Sequence, residues 1–164
     1  MQVKSPFSGI CLDTSVNYFT KTMYMPQDQV ICGYASVFDV CDTQKDIIKR
    51  GAFADMLSNS ERCRKLPLLW QHQADNPIGR IESLIEDEYG LYIKARILSG
   101  VSKGMEAIHL IKSQSVCHFS IGYNPLRYYL DYEQDARVLE VVDLWEISVV
   151  TFPANNQSCI TAIY

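Results

Sequence analysis

Three polar residues that could perform acyl transfer lie in three strand-like apolar segments: His72 in LLWQHQ, Ser120 in CHFSIGY and Glu146 in DLWEISVVTFPAN. A hydroxyl nucleophile, an imidazole base and a carboxylate that orients the base are the parts of a catalytic triad. None of the three is diagnostic alone, because a serine, histidine or glutamate in such a segment is more often structural. Their order along the chain, taken with the flanking segments GYASVF, DIIKRGAF and PIG, is much more specific.

Ser120 lies in an extended segment, in which side chains alternate between two faces. It falls on the face opposite the apolar side chains of the segment, which are those of Cys117, Phe119, Ile121 and Tyr123. Gly122, on the face of Ser120, removes bulk beside it. We therefore expect the hydroxyl to face a cleft that a substrate backbone can approach. Cys117 falls on the core side, where packing is a better explanation than nucleophilic chemistry.

His72 ends the apolar run LPLLW and precedes a polar turn. A half-buried imidazole there can hold a pKa near neutrality and serve as a general base. His118 is the alternative base, since it lies two residues from Ser120 on the same face. Parallel side chains of one strand seldom turn toward each other, so we rank His118 below His72. His109 lies on a predicted helix and is interpreted as a flanking residue.

Glu146 lies within LWEISVV, a segment whose two faces are both largely apolar. A carboxylate is costly to bury unless it is paired or hydrogen-bonded. An imidazole partner would remove that cost and would fix the tautomer that a histidine base needs. The alternatives are a structural acid paired with a lysine or arginine, or an edge position. Asp143 is the other candidate for the third role, although its wetter position favours exposure to solvent.

Strand patterns surround these residues. The segments with strand character are VICGYASVF, IIKR, KLPLLWQH, GRIESLIED and LYIKARIL joined by the turn EYG, CHFSIGY, PLRYYLDYEQ and VLEVVDLWEISVVT. Two segments, AFADMLSNS and SGVSKGMEAIHLIKSQ, have helical character, and ADNP predicts a turn. We predict a mainly β (α+β) domain over residues 29–164, a closed β-barrel of about six to seven strands with a few peripheral helices. Residues 1–28 are predicted to form an N-terminal arm.

The composition narrows the function classes. A chain of 164 residues with 48% hydrophobic and 21% charged residues is expected to form one soluble domain. The formal net charge of −4 argues against a nucleic-acid partner. No apolar stretch reaches the length of a membrane span, and the first residues lack the apolar run of a signal peptide. We therefore expect no membrane partner and no export.

The six cysteines are irregularly spaced and form no Cys-x-x-Cys pair. Free thiols in a reducing cytoplasm fit this pattern better than disulfides. The three histidines have no recognisable ligand spacing, so we expect neither a metal nor another cofactor.

Taken together, the words GYASVF, DIIKRGAF, LLWQH, PIGRI, GLYIKARI, FSIGY and DLWEISVVTFPAN resemble the prohead (capsid maturation) proteases of tailed bacteriophages. The resemblance covers about residues 30–160, in the family's order and spacing. That family is similar in fold to the herpesvirus assembly proteases, which are β-barrels with peripheral helices and are often dimeric.

The resemblance implies a serine endopeptidase with His72, Ser120 and Glu146 as the catalytic residues, although herpesvirus relatives use a second histidine as the third member. It implies the scaffold and the scaffold-like segment of the major capsid protein as substrates, within the immature capsid in the host cytoplasm. It also implies self-association, as in a homodimer, and self-cleavage of a C-terminal tail.

Two other functions stay open on the sequence. One is a catalytically inactive capsid-assembly or scaffolding module on the same barrel, which would be expected to lose one of His72, Ser120 and Glu146. The other is a ligand-binding β-barrel, which would need an apolar lumen rather than polar residues converging on a cleft.

Overall fold

The computed structural model of the chain describes residues 27–164. The predicted N-terminal arm lies almost wholly outside them. The described residues form eight strands and three helices. The strands are β1 (Gln29–Val37), β2 (Asp46–Ile48), β3 (Pro67–Trp70), β4 (Gln73–Glu86), β5 (Gly90–Ile97), β6 (His118–Asp131), β7 (Ala136–Val150) and β8 (Cys159–Ile163). The helices are α1 (Ala54–Leu57), α2 (Ser60–Lys65) and α3 (Ser102–Lys112).

One curled sheet contains all eight strands, in the order β2-β7-β3-β4-β5-β1-β8, with β6 paired to β7. β6 runs antiparallel along almost the whole length of β7. β2 and β3 pair with β7 in parallel, β2 near its first residues and β3 near its last. β7 is therefore the strand on which the segments carrying the predicted site residues meet.

The core follows from alternation along the strands. In β5, Leu91, Ile93, Ala95 and Ile97 are fully buried, while the residues between them are partly exposed. Phe53 and Phe119 are the largest fully buried side chains. The helix α3 lies within the predicted helical segment and buries Ala107, Ile108 and Ile111. These residues belong to one continuous cluster.

The prediction of a closed barrel is wrong, because the sheet is open. β6 has β7 as its hydrogen-bonded neighbour and leaves its other edge outside the strand ladder. One backbone hydrogen bond reaches across the gap between β8 and β6. The Ile160 N–H of β8 donates to the carbonyl of Cys117, the residue just before β6. β8 has only five residues and pairs with β1. Closure would require a ladder between β8 and β6, and the described residues form none.

Three local predictions also need correction. ADNP is not a turn but part of β4, since Pro77 lies opposite Leu69 where the register shifts and a missing N–H is tolerated. CHFSIGY and PLRYYLDYEQ form the single strand β6, with Pro125 beside a similar shift. The helix predicted after Gly51 is two short helices, because Asn59 is extended and caps α2 by accepting the Arg62 N–H at 3.1 Å.

None of the helices formed by the described residues is long and apolar enough to cross a membrane. Cys32, Cys41, Cys63, Cys117 and Cys159 are free thiols; Cys11 lies outside the described residues.

A buried ion pair attaches β2 to β7. The Asp46 carboxylate, 1% exposed, accepts hydrogen bonds from Arg137 Nε at 2.7 Å and Arg137 Nη2 at 2.6 Å. The Tyr123 hydroxyl donates to the same carboxylate at 2.6 Å. Burial, and then the bond to Asp46, raises the pKa of Tyr123, which therefore stays a hydrogen-bond donor.

We expect Asp46→Asn to lower the free energy of unfolding by about 2 to 3 kcal/mol, because it leaves the Arg137 guanidinium without its counter-ion. Asp135→Asn is the matched control, since Asp135 forms an exposed ion pair with Lys45. It should change stability by about 0.5 kcal/mol or less. Urea unfolding of both variants measures the difference, and equal effects would contradict a structural role for the buried pair.

Candidate active site

His72 lies in the two-residue turn that joins β3 to β4, between the paired residues Trp70 and Gln73. Both turn residues have positive φ, 53° at Gln71 and 59° at His72. A two-residue hairpin favours this conformation, but Asn and Gly usually adopt it, because a larger side chain costs roughly 1–2 kcal/mol there. The sequence predicted His72 at the end of a strand, before a turn, whereas it lies within the turn. Its surroundings must offset this strain.

Four hydrogen bonds fix the turn to the last residues of β7 and to Thr151, the residue that follows β7. Gln71 N–H donates to the Val149 carbonyl at 3.0 Å, and His72 N–H donates to Ser148 Oγ at 3.0 Å. The Gln71 side-chain amide donates to Thr151 Oγ1 at 2.8 Å and accepts the Thr151 N–H at 3.2 Å. The backbone of the histidine is thereby held beside β7.

The imidazole of His72 contacts the carboxylate of Glu146, with 2.5 Å between Nδ1 and Oε1. Glu146 Oε2 accepts the Ser148 hydroxyl at 2.7 Å, so both carboxylate oxygens have a partner. The side chain of Glu146 is 13% exposed and that of His72 is 44% exposed. The hydrogen bond to Glu146 raises the pKa of His72, partly opposed by burial of the ring. With Nδ1 engaged, Nε2 is the nitrogen free to move a proton.

Ser120 lies on β6 directly opposite Ser148 on β7, and Gly122 lies opposite Glu146. Ser120 is 5% exposed, and its hydroxyl has no hydrogen-bond partner among residues 27–164. Ser120 and His72 both line an open cleft of about 280 Å³. Within the described residues, no hydrogen bond joins Ser120 to His72.

The lack of a side chain at Gly122 leaves space for the side chain of Glu146. A Cβ atom there would lie 2.6 Å from Glu146 Oε1 and 2.9 Å from Glu146 Cγ. The sequence analysis assigned the missing bulk to the surroundings of Ser120, whereas the structure uses it to seat the Glu146 side chain. Ser148 was missed as well, although the period of two along Glu-Ile-Ser places it on the face of Glu146.

The remaining candidates lie elsewhere. His118 donates from Nδ1 to the Ser158 carbonyl at 2.7 Å. Asp143 forms an ion pair with Arg62 and accepts the Trp145 indole N–H at 2.9 Å. His109 is exposed on α3, and Cys117 is half-buried. Within the described part of the chain, no cluster of His, Cys, Asp or Glu could hold a metal ion.

Solved structures define the class of fold. A KSHV protease in complex with a hexapeptide phosphonate inhibitor aligns with a TM-score of 0.58 and 12% identity, over 84% of this chain and 65% of that one. The bacteriophage T4 capsid assembly protease aligns with a TM-score of 0.58 and 13% identity, over 73% of this chain and 80% of that one. The fold of this chain is therefore similar to that of these two proteases.

The sequence profile of the Caudovirus prohead serine proteases matches residues 18–164, and the chain belongs to this family. The family predicted from the sequence is thus confirmed. The prohead protease of Enterobacteria phage HK97 is 35% identical over 133 residues, 80% of this chain and 58% of the relative. That of Escherichia phage T5 is 29% identical over 128 residues, 78% of this chain and 60% of the relative. The chain spans about three fifths of the length of these relatives.

We expect the pKa of His72 to lie above its usual value of about 6.5 and to fall in Glu146→Gln, which removes the charge that stabilises the imidazolium. NMR titration of the imidazole measures both values. The pair stabilises the fold most below the unfolded pKa, and this contribution is lost as pH rises through the folded pKa. Asp143→Asn, which changes an acid bonded to Arg62, should leave the titration unchanged. An equal fall in both variants would contradict a specific contact.

Gly122→Ala should displace the Glu146 carboxylate, because the new methyl group occupies the space of Oε1. The flexible side chain can move, so we expect the fold to persist and the pKa of His72 to fall toward its value in Glu146→Gln. Gly100→Ala is the control, since a Cβ there meets no atom within 4 Å. NMR titration of His72 in both variants is the measurement. An unchanged pKa in Gly122→Ala would show that the seat of Glu146 tolerates the methyl group.

Proposed function

We propose that the chain is a serine endopeptidase of phage prohead maturation, with Ser120 as nucleophile, His72 as general base and Glu146 as the acid that orients the base. The observation that carries the proposal is the His72–Glu146 hydrogen bond at the edge of a cleft that Ser120 also lines. Three strands of the sheet contribute to this cleft, and family membership supports serine chemistry.

The proposed reaction uses these groups in turn. Ser120 Oγ attacks the scissile carbonyl carbon while His72 Nε2 accepts the hydroxyl proton. The imidazolium is stabilised by Glu146 and returns the proton to the leaving amine, which departs and leaves an acyl-enzyme. Water, deprotonated by the same nitrogen, hydrolyses the ester and restores the serine.

Since the base works in its neutral form and its pKa is raised, activity should increase with pH above about 6.5.

The substrates proposed are the scaffold and the scaffold-like segment of the major capsid protein. The support is the names of the relatives, which are prohead proteases of two phages and a capsid assembly protease of a third. The reaction would take place inside the immature capsid, in the cytoplasm of the bacterial host. A homodimer or another self-association is part of the proposal, by analogy with the herpesvirus proteases.

A catalytically inactive assembly module is the second candidate. The observation that favours it is the absence of a hydrogen bond between Ser120 and His72, the only link of the proposed triad that the described residues do not form. In an inactive module this link would never form, whereas in a protease substrate binding would complete it.

Ser120→Ala should abolish cleavage of the major capsid protein co-expressed from the same genome, and His72→Ala should lose nearly as much. The double variant should lose little more, because the residues act as a unit. His118→Ala should cost much less, since its ring is bonded to Ser158. Thermal unfolding of each variant controls for folding. Undiminished cleavage by Ser120→Ala would overturn the proposal, and a larger loss in His118→Ala than in His72→Ala would move the base.

A further inference from the structure

We infer that Ser148 is a positioning residue of the site, whose hydroxyl holds both the backbone of His72 and the carboxylate of Glu146 in the geometry that proton transfer needs. This inference rests on the proposed function, because it assigns a role in that reaction. Ser148 does not line the cleft and is not one of the reacting groups. It acts through its contacts with the proposed base, His72, and the proposed acid, Glu146.

The hydroxyl of Ser148 is used in both directions. It donates its single proton to Glu146 Oε2 at 2.7 Å and accepts the His72 N–H at 3.0 Å. Ser148 is fully buried, at 0% exposed, so no solvent competes for either bond. A hydroxyl has one proton, and here that proton is donated in the hydrogen bond to the Glu146 carboxylate. An oxygen lone pair is left to accept the His72 N–H. The orientation of the group is therefore fixed.

These bonds close a ring with the contact between the imidazole and the carboxylate. The ring runs from His72 N–H to Ser148 Oγ, on to the Glu146 carboxylate, and back to His72 Nδ1. Ser148 thus links the main chain of the histidine with the side chain that holds its ring. A rotation of the imidazole would break its bond to Glu146, and a rotation of the carboxylate would break its bonds to both His72 and Ser148.

The turn that carries His72 makes this link necessary. Its positive φ values are costly for residues other than glycine and asparagine, so the turn would relax without external bonds. Gln71 anchors the first turn residue to Val149 and Thr151. The His72 N–H has Ser148 Oγ as its acceptor, so this hydroxyl anchors the second residue.

The sheet register relates this anchor to the nucleophile. Ser148 is the direct partner of Ser120 in the antiparallel ladder of β6 and β7. The neighbouring residues Ile147, Val149 and Val150 are almost fully buried, which holds this part of the ladder in place. One position on β7 thus sets the nucleophile, the base and the acid relative to one another.

A matched pair of variants separates the hydroxyl from the packing. Ser148→Thr and Ser148→Val add nearly the same bulk to a buried position, but only the threonine keeps a hydroxyl. The probe is a small fluorophosphonate, which reacts with activated serines and requires no knowledge of the natural substrate. The rate at which it modifies the full chain is measured for each variant, with Ser158→Ala as a control for loss of another buried serine hydroxyl, bonded to the Ala35 carbonyl.

We expect Ser148→Thr to react about tenfold or more faster than Ser148→Val, since a lost hydrogen bond to a charged group costs at least that factor. With Glu146→Ala added to both, the ratio should shrink to about threefold or less, because the ring is already broken. Ser158→Ala should react at the normal rate. Thermal unfolding of each variant shows that it is folded at the temperature of the assay.

Equal rates for Ser148→Thr and Ser148→Val would overturn the inference, as would the same ratio with and without Glu146. Either result would leave the proposed function intact, provided that Ser120→Ala no longer reacts. A full rate in Ser120→Ala would instead overturn the proposed function itself, so the two failures are distinguishable.

Discussion

The carboxylate of Glu146, nearly buried within an apolar strand, is the constraint on which the candidate site depends. A charge so placed is tolerated only with close partners, and the structure supplies the His72 imidazole for one oxygen and the Ser148 hydroxyl for the other. The absence of a side chain at Gly122 provides the space. The contact between His72 and Glu146 also raises the pKa of His72, and with Nδ1 engaged it leaves Nε2 as the free ring nitrogen.

β7 brings these parts together through its pairings. A parallel neighbour, β3, delivers the turn with His72, while the antiparallel neighbour β6 delivers Ser120 opposite Ser148. The second parallel neighbour, β2, is held to β7 by the ion pair of Asp46 and Arg137, whose side chains line the same cleft as Ser120. An open sheet suffices for this arrangement, because the three site residues depend on the ladders around β7 and not on closure at the far edge.

The elements with strong local patterns could be predicted from the sequence. The β4–β5 hairpin has alternating strands around EYG, and α3 has an apolar face. That the sheet stays open could not be predicted, because closure would depend on pairing between β6 and β8, which are not neighbours in the chain. Pro77 and Pro125 were misleading for a related reason, since only the register of the partner strand reveals that their missing N–H groups are tolerated.

The sequence proposes three residues for the candidate site, but it does not predict their geometry. His72 and Glu146 were paired from the cost of burying a carboxylate, and the structure places them 2.5 Å apart. The turn of Gln71 and His72 was not predicted, because neither residue is typical of positive φ. The roles of Gly122 and Ser148 were also missed, since they depend on which residues of β6 and β7 lie opposite each other.

The central claim is that Ser120 is activated by an imidazole that Glu146 holds in place. The most direct test is to treat the native chain with a fluorophosphonate and to locate the modified residue by mass spectrometry of its peptides. The account predicts a single adduct on Ser120, formed faster as pH rises through the pKa of His72, and absent from His72→Ala. An adduct on a different serine, or one on Ser120 that forms equally well without His72, would contradict it.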